Sequence, residues 1–171
     1  MKFLQQTVTD RLTLRSDGTR VLKWGADAAF AVHEDMRSHT GGMMTMGKGA
    51  IMSYSRKQSL NTRSSTEAEI VAADDMVGPM LWTQRFLEAQ GYKLRANVLL
   101  QDNQSAIKME TNGKSSAGKR SRHLDIRLFY VTDQIEKGLI EVEFCPTNEM
   151  TADHFTKPVH GKKFQDSEIR L

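Results

Sequence analysis

The chain has 171 residues, of which 39% are hydrophobic and 26% charged, enough for one domain with a buried core. Its single cysteine, Cys145, excludes an internal disulfide framework and any multi-cysteine zinc centre, and fits a reducing, intracellular setting. No apolar run is long enough to span a bilayer, the stretch Met1-Lys2-Phe3-Leu4-Gln5-Gln6 has no apolar signal core, and a net charge of +3 leaves contact with nucleic acid to local clusters.

Residues 1–20 are polar and read as an appended segment, with an alternating Leu12-Thr13-Leu14 and a turn at Asp17-Gly18. Residues 21–32 form the first convincing strand, which carries Asp27 among the small residues Gly25, Ala26, Ala28 and Ala29. A polar loop follows, then two strands at 42–46 and 50–55 joined through Gly47-Lys48-Gly49. A long helix is expected over 66–90. Ser64, Ser65 or Thr66 caps it, Ile70, Ala73, Val77 and Leu81 give it helical spacing, and Gly91 stops it. Pro79, after Gly78, predicts a kink or a restart.

Val98-Leu99-Leu100 is a continuous apolar run suited to a strand buried on both faces. It ends at Gln101-Asp102-Asn103, before a short helix over 104–110 and a basic loop up to 122. A helix over 124–137 follows, with Ile126, Phe129, Tyr130 and Ile135 as its apolar residues; then come a strand over 139–144 and a last short helix over 148–155. Trp24, Trp82, Phe86 and Phe129 are expected in the core, and the hairpin residues Met43, Met44, Met46 and Met52 as adaptable packing. The tail from residue 157 reads as loosely ordered or truncated. This order of elements predicts an α/β fold with a mixed sheet flanked by helices.

Four acids stand out by position. Asp27 lies within a strand, Glu67 or Glu69 at the head of the long helix, Asp102 at the C-terminal edge of a buried strand, and Asp153 in the last helix. An acid in a strand with apolar neighbours is costly unless it is paired or metal-bound. Converging carboxylates suit hard cations such as Mg²⁺, and two ions about 4 Å apart can promote phosphodiester hydrolysis. The plainer reading keeps each acid solvated, with the two glutamates favouring the helix dipole and Asp102 capping the helix after it. Lys114, Lys119, Arg120 and Arg122 make a basic loop that either contacts phosphates or is simply solvated. His123 reads as a helix cap, a phosphate contact or a neighbour of the acids.

In chain order, Asp27, then Ser64-Ser65-Thr66-Glu67-Ala68-Glu69, Gln101-Asp102-Asn103-Gln104-Ser105-Ala106, Arg122-His123-Leu124-Asp125-Ile126-Arg127 and Ala152-Asp153-His154-Phe155-Thr156-Lys157-Pro158 resemble the ribonuclease H domain of copia-type (Pseudoviridae) LTR-retrotransposon reverse transcriptases. Asp35-Met36-Arg37-Ser38-His39-Thr40-Gly41-Gly42 resembles the family's segment before its second strand, so the likeness covers residues 20–160. It implies the ribonuclease H fold, a five-stranded mixed sheet flanked by helices. It also divides the chain into the end of a polymerase connection (1–20), the ribonuclease H domain (21–158) and a tail (159–171).

The implied activity is metal-dependent hydrolysis of the RNA strand of an RNA–DNA hybrid during reverse transcription, with two Mg²⁺ ions for which Mn²⁺ substitutes. Asp27 would be shared by both ions, Asp153 would complete the water-activating one, and Glu69 and Asp102 would hold the other. Glu69 is preferred to Glu67 because the family places an aliphatic residue directly after this glutamate and an alanine two beyond, as in Glu69-Ile70-Val71-Ala72. Asn103, Ser105, Lys119, Arg120, Arg122 and His123 are the implied substrate contacts. The implied partners are the hybrid and the polymerase portion of the same polyprotein, with no membrane. Cellular ribonucleases H carry a histidine in the loop before the last acid; Pro146-Thr147-Asn148-Glu149 has none, and neither His123 nor His154 aligns with it. The competing readings are a catalytically silent hybrid-binding or structural domain, and an integrase-like core, which the order of the acids fits less well.

Overall fold

The computed structural model describes residues 8, 11–113 and 122–157, with only the backbone of Arg122 and His123. Its strands are β1 (Arg15–Ser16), β2 (Val21–Ala29), β3 (His39–Thr45), β4 (Gly47–Lys48), β5 (Met52–Lys57), β6 (Ala96–Gln101) and β7 (Glu141–Phe144). Its helices are α1 (Ser65–Ala89), α2 (Gln104–Asn112) and α3 (Arg122–Glu136), followed by a 3₁₀ segment at Thr151–Phe155. Five strands form one mixed sheet in the order β5-β3-β2-β6-β7, antiparallel from β5 to β2 and parallel from β2 to β7.

The long helix begins as its first residues dictate. Ser64 caps it: its side chain accepts from the Glu67 amide at 3.2 Å, while Glu67 Oε2 accepts from the Arg63 amide at 2.6 Å. Pro79 does not restart the helix, which runs unbroken from Ser65 to Ala89. The hydrogen bond that Pro79 cannot donate lies beside exposed Gly78, while the buried residues Ala72, Ala73, Met76, Val77, Met80 and Leu81 hold both halves against the sheet. They pack on Leu22, Trp24, Ala26 and Met44 of the sheet and on Val131 of α3. Arg127 of α3 pairs with Asp74 and lies 3.5 Å from Asp75, and Asp75 also accepts from Thr40 at 3.0 Å, which ties α1 to both α3 and β3.

Several expected boundaries move. β2 ends at Ala29 because Ala31 takes φ +52° and turns the chain out of the sheet. Gly47 and Lys48 are not a simple hairpin turn but pair with Arg15 and Ser16. A Cβ at Gly47 would lie 2.5 Å from the Asp17 amide nitrogen, so this close pairing needs glycine. Leu12 and Leu14 are exposed and lie outside any strand. In α3 the buried stripe is Leu124, Leu128 and Val131, whereas Ile126 and Tyr130 face solvent. Trp24 is fully buried as expected, but Trp82 and Phe86 are not core. One turn apart on the outer side of α1, they stack on each other with ring centroids 5.3 Å apart. The last element is a 3₁₀ turn rather than an α-helix; Pro146 and the bonds from Glu149 and Met150 to its carbonyl use up the chain before it.

Candidate metal centre

The register of the sheet brings the acids to one edge. Asp27 lies opposite Gly41 of β3, and β6 runs parallel to β2 and ends one residue before Asp102. Asp27 and Asp102 therefore emerge on neighbouring strands at the same end. Glu69, on the second turn of α1, reaches over them and accepts from the Ala28 amide at 3.3 Å. One carboxylate oxygen from each of Asp27, Glu69 and Asp102 lies within 4.8 Å of the others. Asp27 and Glu69 are buried, and Asp102 is half-buried and accepts from the Thr147 hydroxyl at 2.9 Å. Glu67, two residues from Glu69, is half-buried and holds the start of the helix instead.

Burial pushes the Glu69 carboxyl up to about 9, and the charges of Asp27 and Asp102 push in the same direction. Burial also raises Asp27, against the pull of a hydrogen bond from the Thr156 hydroxyl; Asp153 adds to the rise by its charge and by a hydrogen bond between the two side chains. Glu69 Oε2 is buried with no hydrogen-bond partner among the described residues. Three converging acids, one kept protonated by burial and its neighbours' charge and carrying an orphaned oxygen, fit a hard divalent cation: its charge would offset that repulsion and its coordination would use the free oxygen.

Asp153 is not one of the three converging acids. It is fully buried on the 3₁₀ segment and lies against Asp27, and its Oδ1 is 2.8 Å from Lys157 Nζ. Asn103 is the N-cap of α2, where its Oδ1 accepts from the amides of Ser105 and Ala106 at 3.1 Å, and Ser105 is exposed on the first turn. Arg122 and His123 open α3, and Lys119 and Arg120 lie outside the described residues. Sequence reasoning missed Thr156 and Lys157, which meet Asp27 and Asp153; the available signal was their spacing, three and four residues beyond Asp153. It also missed Glu110, a fully buried acid pushed up to about 8 by burial, which accepts from the Gln101 amide at 2.8 Å behind the site.

No family model matches the chain. It is 34% identical over 166 residues to the retrovirus-related Pol polyprotein from transposon TNT 1-94 of Nicotiana tabacum, covering 96% of the chain and 12% of that polyprotein. It is 29% identical over 173 residues to the Pol polyprotein from transposon RE1 of Arabidopsis thaliana, covering 100% of the chain and again 12% of the relative. The chain thus spans about an eighth of the length of these relatives. Among solved structures it resembles LC11-RNase H1, isolated from compost, with a TM-score of 0.57 at 12% identity, over 80% of this chain and 92% of that one. It also resembles the N-terminal RNase H domain of a Mycobacterium tuberculosis protein, with a TM-score of 0.52 at 12% identity, over 86% and 98% of the two chains. At these identities the likeness establishes the ribonuclease H fold.

Proposed function

The chain belongs to the copia-type, retrovirus-related Pol polyproteins as their ribonuclease H domain, and from that premise we propose that it is a metal-dependent endonuclease which hydrolyses the RNA strand of RNA–DNA hybrids during reverse transcription. The observation that carries this reading is the convergence of Asp27, Glu69 and Asp102 at one edge of the sheet, with an oxygen of Glu69 unpartnered among the described residues. Two Mg²⁺ ions, when bound, would lower the pKa of the attacking water and neutralise charge on the leaving oxygen. Asp27 would be the ligand shared between them, Glu69 and Asp102 would hold one side, and Asp153 the other.

Water would add to the phosphorus and the 3′ oxygen would leave, giving 5′-phosphate and 3′-hydroxyl ends. The 2′-hydroxyl marks the strand to be cut, since that group distinguishes RNA from DNA. Asn103, whose Oδ1 is occupied in capping α2, would offer its Nδ2 to the hybrid, and Ser105 on the same turn its hydroxyl; His123 is a further proposed contact. In the cell the domain would act inside the particle or nucleus, with residues 1–20 joining it to the polymerase portion and 159–171 as a tail. Incubating the chain with labelled hybrid in Mg²⁺, Mn²⁺ or EDTA tests the reading: cutting is expected in both ions and not in EDTA, and equal cutting in EDTA would overturn it.

The acid cluster also gives the ion-free protein a pH dependence. Folded Glu69 keeps its proton up to about pH 9, whereas the unfolded chain loses it near the ordinary 4.5. Between those values the folded state binds more protons, so stability falls as pH rises, and the raised acids Asp27 and Glu110 act in the same sense. The lowered acid Asp17 titrates below this window, and His39, lowered by burial, opposes the trend only below its ordinary 6.5. Protein in EDTA should therefore melt lower near pH 8 than near pH 5.5, and Mg²⁺ should raise the melting temperature more at the higher pH. A melting temperature in EDTA that does not change between them would count against a buried, repelling cluster.

The basic loop makes a separate prediction. With Lys119, Arg120 and Arg122 all replaced by Ala, hybrid affinity should fall for every sequence. Log affinity should also depend less steeply on log salt, by about one unit of slope for each phosphate that is no longer neutralised. An unchanged slope would mean that these residues do not touch the hybrid.

A further inference from the structure

Asp153 is fully buried, and a buried carboxylate is costly unless a positive group faces it. Lys157 is one helical turn further along the chain, and its Nζ lies 2.8 Å from Asp153 Oδ1. Its neighbour Thr156 donates from its hydroxyl to Asp27 Oδ2. Two consecutive residues thus hold the two acids that lie side by side at one end of the cluster. Burial works against the charge on Lys157, but its bond to Asp153 and the attraction of Asp27, Asp153 and Asp102 outweigh this and raise its pKa. The ammonium is fully charged and sits where positive charge is wanted.

The backbone that carries this pair is held in place, whereas the lysine side chain reaches the pair from the solvent side. Thr156 and Lys157 both donate their amides to the Asp153 carbonyl, at 3.3 and 3.2 Å. The Phe155 carbonyl accepts from Ser55 at 2.8 Å. A Cβ on Gly41 would lie 2.5 Å from Thr156 Cγ2, 2.9 Å from the Ala152 carbonyl oxygen and 2.9 Å from the Phe155 carbonyl carbon, so the segment rests directly on β3 through a glycine. By contrast, the Lys157 side chain is 49% exposed and can swing into water without opening the core.

We infer that Lys157 is a built-in counter-ion for the metal-free centre: its ammonium holds the Asp27–Asp153 end of the acid cluster when no metal is bound, and a divalent cation entering that end displaces it. This deepens the metal-dependent reading above and rests on it. An ammonium and a divalent ion cannot share the same carboxylates at close range, because their mutual repulsion cancels part of what each gains. Lys157 therefore keeps the metal-free site folded and weakens metal binding, which makes the ion at this end easier to exchange. It is a positioning residue, acting through Asp153.

The test is calorimetric titration of the whole chain with Mn²⁺, alongside its melting temperature in EDTA. Lys157→Met keeps the apolar stem and removes the charge. It should bind Mn²⁺ tighter, by on the order of tenfold, and melt lower in EDTA, since Asp153 loses the ammonium that faces it. Lys157→Arg keeps the charge and should stay near the parent in both measurements. Lys157→Gln serves in place of the Met variant if that one does not fold. Mn²⁺ affinity that is unchanged or weaker in the neutral variants would overturn the inference while leaving the metal-dependent function standing. A parent chain that binds no Mn²⁺ would remove both.

Discussion

Replacing Asp27 with Asn should reduce hybrid cleavage by more than about a thousandfold, a loss of about 4 kcal/mol of transition-state stabilisation, while the protein stays folded. The size follows from position. Asp27 touches the site from every side: it is one of the three converging acids, it meets Asp153, and it accepts from Thr156. On the two-metal reading Asp27 is the ligand shared by both ions, and no other acid could take that place. The amide is nearly isosteric and keeps an oxygen for the Thr156 hydroxyl, so the local packing survives. In EDTA near pH 8 the variant should melt higher than the parent, because one member of a repelling cluster has lost its charge, a gain of about 1 kcal/mol. Cleavage near the parent rate by a folded Asp27→Asn protein would remove the two-metal reading.

The contrast between what the sequence conveyed and what it hid has physical causes. The long helix, the mixed sheet and the place of Asp27 within it were legible, because each depends on local pattern: apolar spacing, a capping serine, an acid among small residues. The pairing of Arg15–Ser16 with Gly47–Lys48 was not, since two-residue strands carry no periodic signal and the partners are distant in the chain. Pro79 pointed to a break that packing on both sides of it overrides. Trp82 and Phe86 lie at helical spacing, but on the side of α1 away from the sheet, and spacing alone does not say which stripe is buried.

The site shows the same division. Asp27, Glu69 and Asp102 converge as the family pattern implied, yet Asp153 meets Asp27 without joining the three, and Thr156 and Lys157 join it. Those contacts depend on how the 3₁₀ segment settles on Gly41, which is a close approach between distant backbones rather than a motif. Glu110 was silent for a related reason. Its burial and its bond to Gln101 arise from the packing of α2 against α1, α3 and β7, and an acid near the end of a short polar helix looks like surface.

The sharpest difference is between two glutamates two residues apart. Residues i and i+2 of a helix point about 200° apart, so only one of them can face the sheet edge. Glu69 is buried, accepts from the Ala28 amide and leaves Oε2 without a partner among the described residues, whereas Glu67 is half-buried and accepts from the Arg63 amide. Glu69→Gln should therefore lose hydrolysis by about a hundredfold or more, because an amide is a poor ligand for a hard cation. In EDTA it should melt no lower than the parent near pH 5.5, where folded Glu69 already carries a proton, and higher near pH 8, where that proton is held against a growing penalty. Glu67→Gln should cut at the parent rate. A glutamine still accepts from the Arg63 amide, so only the charge at the helix start is lost, a few tenths of a kcal/mol to about one. Paired measurement of cleavage and melting separates the two roles. Loss of cleavage in Glu67→Gln with Glu69→Gln active would mean that the metal is held from the other side of α1, and a drop in both melting temperature and cleavage for Glu69→Gln would make Glu69 a structural acid.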